Sequence, residues 1–227
     1  MATVAHSFLS PGQAQYREIE AQPPRYEYDP RRAAQMIEGL GYTRGADGAW
    51  RDPTGGGLEV EIRSGPEDQA ANPAAAIADY WQRIGVGTYT LRATPRLAQD
   101  PEASATFPGF NVGSNPNDVA GLRGLHSSRA RLPENGFQAP VPRNDSRYMN
   151  PELDSLVDGY FKTIPVQDRV AVLGRIVRHV AEQLPVVGIY YNPTPDGYGN
   201  RLVNVTSTWA QGSNPGWNAH EDRKSVV

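Results

Sequence analysis

Along this chain, apolar residues recur at helical spacing in some stretches and alternate with polar ones in others, and turn residues punctuate the boundaries. Ala33, Met36, Ile37 and Leu40 share one helical face, so the spacing predicts a helix from Asp29 to Gly41, with Asp29 as N-cap, Pro30 in the first turn and Gly41 as a left-handed stop. Leu58, Val60 and Ile62 alternate with Glu59, Glu61 and Arg63, the mark of a strand with one solvated face. Asn72-Pro73 repeats the cap-plus-proline device, predicting a helix to Ile84 with Ile77, Tyr80, Trp81 and Ile84 inward and Gly85 as its stop. A strand at 86–92 then completes a strand–helix–strand order, which implies a parallel crossover and an α/β architecture.

The second half continues in the same style. A short helix at 95–103 and a strand at 107–112 precede a long polar segment, 113–147, broken by Pro and Gly. Segments of that length in a compact domain carry function or move. Asn150-Pro151 opens a third capped helix with Leu153, Leu156, Val157, Tyr160 and Phe161 facing inward. Pro165 opens the longest helix, whose buried stripe is Val170, Leu173, Ile176, Val177, Val180 and Leu184. Residues 186–191 read as a buried strand and 201–205 as another. The Pro- and Gln-rich stretch 1–25 reads as an irregular connection lying against the surface.

Composition narrows the function classes. The chain has 227 residues, 38% of them apolar, and a net charge of −3 spread without a basic stripe, which argues against nucleic acid and polybasic membrane anchoring. With no Cys, disulfides, thiolate metal sites and a Cys nucleophile are excluded. No apolar run approaches the ~20 residues that span a bilayer, and the N-terminus lacks the basic and apolar regions of a signal peptide.

Candidate chemistry is sparse. Gly55-Gly-Gly57 precedes a strand rather than opening a helix, so it lacks phosphate-cradling geometry. No Gly-x-Ser-x-Gly elbow occurs, and His6, His126, His179 and His220 lack metal-ligand spacing. We therefore expect no catalytic residues, no metal site and no cofactor. His179 and Glu182, one helical turn apart, read as a surface pair, and Glu59 and Glu61 as a solvated strand face. What remains is the polar run Asn111-Val-Gly-Ser-Asn-Pro-Asn-Asp118 at the carboxyl end of a strand, where ligands bind in open α/β sheets. Asn111, Ser114, Asn115, Asn117 and Asp118 are the candidate ligand contacts, with His126 from the following loop. Two readings stand for this run, a recognition loop and a plain Asx-turn loop; for His126 they are a ligand contact and a solvent-facing side chain.

The order of motifs carries more than any one of them. A helix opening on Tyr28-Asp-Pro and closing on Leu40-Gly-Tyr, then Asp47-Gly48, Trp50 and a strand, resembles the family 5 solute-binding proteins of ABC transporters, the dipeptide, oligopeptide and nickel binders. Ile84-Gly-Val86, Tyr148-Met-Asn-Pro-Glu-Leu-Asp154, Asp168-Arg169 and Glu182-Gln-Leu-Pro-Val186 follow in the family's order. The resemblance covers 2–221 and is to the C-terminal half of such a protein.

That resemblance implies a periplasmic-binding-protein-like (type II) lobe, incomplete. Residues 1–185 are expected to supply most of the second lobe and 186–221 to return to the first. Residues 222–227, DRKSVV, are expected to be a non-native tail, translated sequencing adapter. The implied function is capture of a peptide or similar solute for a membrane permease, outside the cytoplasm, by a full-length protein whose export signal lies upstream. In family peptide binders an aspartate near the corresponding strand end pairs with the ligand's amino group; here the nearby acid is Asp118, flanked by Asn115 and Asn117, which favours neutral hydrogen bonding. The rivals are a hydrolase-type enzyme on an α/β scaffold and a sensory or chaperone-like binder on the same fold.

Overall fold

A computed structural model describes residues 3–191. The expected strand at 201–205, His220, most of 186–221 and the 222–227 tail lie outside the described residues. The chain divides into two compact units: a sheet unit of 26–115 and 131–138, and a helical unit whose described parts are 3–25, 116–130 and 139–191. The helical unit begins with strand β1 (Thr3–Val4) and a single-turn helix α1 (Tyr16–Ile19). This N-terminal stretch is no surface connection: Leu9 and Ile19 are completely buried, because without them the helices described below would expose an apolar groove.

The sheet unit opens with helix α2 (Pro30–Gly39). Asp29 caps it by accepting the Arg32 N–H at 2.9 Å, and Gly41 follows at φ +92°, a conformation that favours glycine. Its apolar face, however, is not a core face. Met36 is 65% and Leu40 78% exposed, since little of this unit lies opposite them. A hairpin of β2 (Thr43–Arg44) and β3 (Trp50–Arg51) comes next, and β3 buries Trp50.

Strands β4 (Glu59–Ser64), β5 (Gly87–Arg92) and β6 (Gly109–Val112) form a parallel sheet in the order β5–β4–β6, with helices α3 (Asp68–Arg83) and α4 (Pro95–Gln99) in the crossovers. Val60 and Ile62 pack with Ala70, Ala74, Ile77, Ala78 and Trp81 of α3 into one small core. Helix α3 starts four residues before the expected cap, so Asn72 is no N-cap and Pro73 lies inside the helix. The added turn brings Ala70 against that core, and Arg92 ties Asp68 at 2.9 Å; together they outweigh the amide bond lost at Pro73. Tyr80, expected inside, is half exposed and meets Tyr28 edge-on with ring centroids 5.6 Å apart. Small alanines, rather than the aromatic, fill the close helix–sheet contact.

The other face of β4 also differs from expectation. Glu61 is only 7% exposed and pairs with Arg63, while Arg63 lies 4.3 Å from the Phe107 ring centre and donates to the Ala103 carbonyl at 2.7 Å. The connection from β5 to β6 covers this face, which strand alternation alone does not reveal.

The larger core belongs to the helical unit, where α5 (Pro151–Lys162) packs against α6 (Val166–Gln183). Leu153, Val157, Tyr160, Val170, Leu173, Ile176, Val177 and Val180 meet Leu9, Ile19, Leu122 and Leu125. Asn150 caps α5 through its side-chain oxygen, accepting from Glu152 and Leu153 N–H groups. Phe161 lies outside this core, with the Arg123 guanidinium 3.9 Å from its ring centre. Leu184 also falls outside the stripe: it is the C-cap of α6, at φ +53°, where the changed backbone direction turns it from the buried face. In place of the expected six-residue strand, β7 (Tyr190–Tyr191) pairs antiparallel with β1, and Val187 and Ile189 are exposed. The Tyr191 hydroxyl donates to the Ser7 and Leu9 carbonyls, both at 2.8 Å.

Candidate functional site

The strand order β5–β4–β6 contains a topological switch point. The chain leaves β4 through α3 to reach β5 on one side, then crosses back to β6 on the other. Connections diverging from adjacent carboxyl ends leave a crevice, the usual ligand position in open α/β sheets. Asn111 lies opposite Arg63 in the β4–β6 ladder and is exposed. Ser114 and Asn115 follow just beyond β6 and are also exposed. These three candidates belong to the sheet unit.

The other three belong to the helical unit. Asp118 turns its carboxylate inward on its own loop, accepting the Gly121 N–H at 2.8 Å, while the Asn117 carbonyl accepts from Ser10 N–H at 2.9 Å. His126 is half-buried rather than solvent-facing. Its Nδ1 lies 3.0 Å from the Ser128 N–H and 2.8 Å from the Ser128 hydroxyl, so Nδ1 is the acceptor and the Nε2 proton faces Asp158, 3.6 Å away. The Lys162 ammonium, 2.8 Å from Asp158, holds that carboxyl below its usual pKa. Serine, histidine and aspartate thus adjoin, but the serine's own backbone N–H shares the ring nitrogen. The imidazole caps a turn, and a nucleophile would need that nitrogen free to take its proton.

The quoted motifs turn out to be structural devices. In Tyr148-Met-Asn-Pro-Glu-Leu-Asp154, Asn150 caps α5, Pro151 starts it, Leu153 enters the core and Asp154 accepts the Ser127 N–H at 2.8 Å. The Tyr148 hydroxyl accepts from Asn150 at 3.1 Å and meets His179 Nε2 at 3.0 Å. His179 therefore partners Tyr148, and Glu182 pairs with Arg178 at 2.7 Å. Among the described residues no group of three His, Cys, Asp or Glu is placed to hold a metal, and no helix is long and apolar enough to cross a membrane.

Sequence reasoning missed the buried polar group on β4. Glu61 accepts from Arg63 and, at 3.1 Å, from the Tyr89 hydroxyl. Burial, with Glu61 beside it, raises the Tyr89 pKa. The signal was the Glu-x-Arg spacing, which places both side chains on one strand face. At the opposite end of the sheet, an open apolar groove of about 240 Å³ is lined by Ile37, Leu58, Val60, Trp81, Val86 and Phe110, among others.

At the sequence level no family profile and no curated protein matches this chain. Solved structures do match in fold. NikZ from Campylobacter jejuni, in complex with Ni(L-His), aligns with TM-score 0.67 at 20% identity over 84% of this chain and 36% of its own. The oligopeptide-binding protein AppA from Bacillus subtilis, in complex with a nonapeptide, aligns with TM-score 0.64 at 18% identity over 84% and 36%. A mannohexaose-bound periplasmic oligopeptide-binding protein of Thermotoga maritima gives TM-score 0.68 at 18% identity over 85% and 37%. The chain therefore has an α/β fold with a parallel sheet that matches part of the oligopeptide- and nickel-binding protein fold. It spans little more than a third of the length of these structures, two of which are oligopeptide-binding proteins.

Proposed function

We propose that this chain is part of a two-lobed solute-binding protein that captures a peptide or similar solute outside the cytoplasm for an ABC permease. Residues 1–185 belong to its second lobe and 186–221 lead back to the first. The observation that carries this reading is the fold match over 84% of the chain to a nickel–histidine binder and an oligopeptide binder. In this reading Asn111, Ser114 and Asn115 are candidate ligand contacts of the sheet unit and Asn117, Asp118 and His126 candidate contacts of the helical unit, and closure follows from tighter binding by the closed form. A hydrolase reading has less support, because the serine–histidine contact at Ser128 closes a turn.

Calorimetry on the two-lobed protein tests the proposal with mixed peptides, nickel–histidine and oligosaccharides. Binding of at least one class is expected, and Asn115→Ala should weaken it by about 1–3 kcal/mol, the worth of a buried hydrogen bond. Glu59→Ala, on an exposed position, should leave it unchanged. Absence of binding to all three classes would overturn the proposal.

A further inference from the structure

We infer that Tyr191 is a positioning residue for solute binding: its hydroxyl ties the segment that leads to the other lobe to a buried strap, residues 7–10, which holds Asn117 and Asp118 in place. This rests on the solute-binding reading above. It adds a residue from outside the 111–126 stretch that supplies all the candidate contacts.

Every contact involved lies within the helical unit. The β1–β7 ladder pairs Thr3 with Tyr191 and Val4 with Tyr190, and the Ala5 N–H donates to the Ile189 carbonyl at 3.3 Å. Past Ala5 the Tyr191 hydroxyl takes over from the backbone pairing, shared between the Ser7 and Leu9 carbonyls at 2.8 Å each. Ser7, Leu9 and Ser10 are all buried, so removing that hydroxyl takes a donor from a strap with little access to solvent.

From the strap two contacts reach the candidate loop. Leu9 shares the larger core with Leu122, and the Ser10 N–H donates to the Asn117 carbonyl at 2.9 Å. Ser10 keeps that bond although its own hydroxyl is buried without a partner among the described residues. An unpaired buried hydroxyl costs stability, so other contacts of the strap must offset it, and the Tyr191 bonds are among them. On its far side the loop closes on itself: Asp118 accepts the Gly121 N–H at 2.8 Å, and a side chain at Gly121 would strike the Pro116 carbonyl. Asn117 is thus fixed through its backbone, while its side-chain amide makes no hydrogen bond among the described residues. A donor and acceptor held in place but unspent binds a solute at a lower ordering cost.

The test joins amide hydrogen exchange and calorimetry on the two-lobed protein, with mixed peptides, nickel–histidine and oligosaccharides as probes. Without solute, Tyr191→Phe should lower the protection of the Ser10 N–H, relative to the amides of α6, by roughly three- to tenfold, the range of one hydrogen bond. The same variant should weaken whichever probe wild type binds by a similar factor. Asn150→Ala, which removes a helix cap in the same unit, should leave both the relative Ser10 protection and the affinity unchanged. Unchanged protection or unchanged affinity in Tyr191→Phe would overturn the inference and leave the solute-binding reading in place. So would an equal loss of affinity in Asn150→Ala, which would reduce Tyr191 to general support of the fold. Failure of wild type to bind any probe would overturn both.

Discussion

The backbone N–H of Trp50 donates to the carbonyl of Gly85 at 3.1 Å, and the Trp50 indole donates to the adjacent Ile84 carbonyl at 2.6 Å. This pair of bonds joins the β2–β3 hairpin to the end of α3. It explains why Asp47-Gly48, Trp50 and Ile84-Gly-Val86 occur together. Gly85 sits at φ +92°, and a Cβ there would strike the Gly48 carbonyl.

Gly85→Ala should therefore destabilise the chain by about 2–4 kcal/mol, combining a disfavoured backbone region with a backbone clash. Gly39→Ala, at a helical position with open space around it, should instead stabilise by about 0.5 kcal/mol. Urea unfolding of the two variants gives both signs; a neutral Gly85→Ala would contradict the packing described.

Removing the Asn150 side chain strips the caps from two N–H groups and a donor from Tyr148. Asn150→Ala should cost about 1–2 kcal/mol, and Asn150→Asp should recover most of it, since a carboxylate also caps well. Matching losses in the two variants would mean that the contact to Tyr148, not the cap, carries the stability.

Glu61→Ala leaves Arg63 without its counter-charge beneath the 101–107 segment. A loss of about 3 kcal/mol is expected, because an unpaired charge in a desolvated site is costly. Combining it with Arg63→Met should return a large part of that loss, which a double-mutant cycle by chemical denaturation measures.

Tyr191 supplies a pH dependence. Burial raises its pKa from 10.0 to about 12, so the folded state holds the phenol proton more tightly than the unfolded state does. The associated stability is complete below the unfolded value and is lost as pH rises through the folded one, between about 10 and 12. Thermal midpoints should fall more steeply over that window in wild type than in Tyr191→Phe. Parallel slopes would show that burial does not raise the Tyr191 pKa.

Much of the local structure was legible because it depends on neighbours in sequence. Asp29-Pro30 and Asn150-Pro151 cap and start their helices whatever surrounds them, Gly41 and Gly85 supply left-handed stops, and β4 and β6 form near where their apolar patterns placed them. The stripe of α6 was equally readable, since a long helix with one apolar face must bury it. Asn72-Pro73 misled for the complementary reason: a cap motif is a local preference, and packing of Ala70 against the small core of the sheet unit outweighed it.

What only the tertiary structure decided is which surfaces meet. Periodicity assigns Met36, Leu40 and Tyr80 to an apolar face, but burial requires something opposite, and these residues have little. Alternation puts Glu61 on a polar face, yet the 101–107 segment covers it and Arg63 neutralises it. The candidate run from Asn111 to Asp118 was found by composition and position, but its division between two units, with Asp118 bonded to Gly121, follows from long-range contacts. The motif order pointed to the binding-protein fold because each motif is a local device; the switch point at the carboxyl ends of β4 and β5 exists only once β6 has paired on the far side of β4.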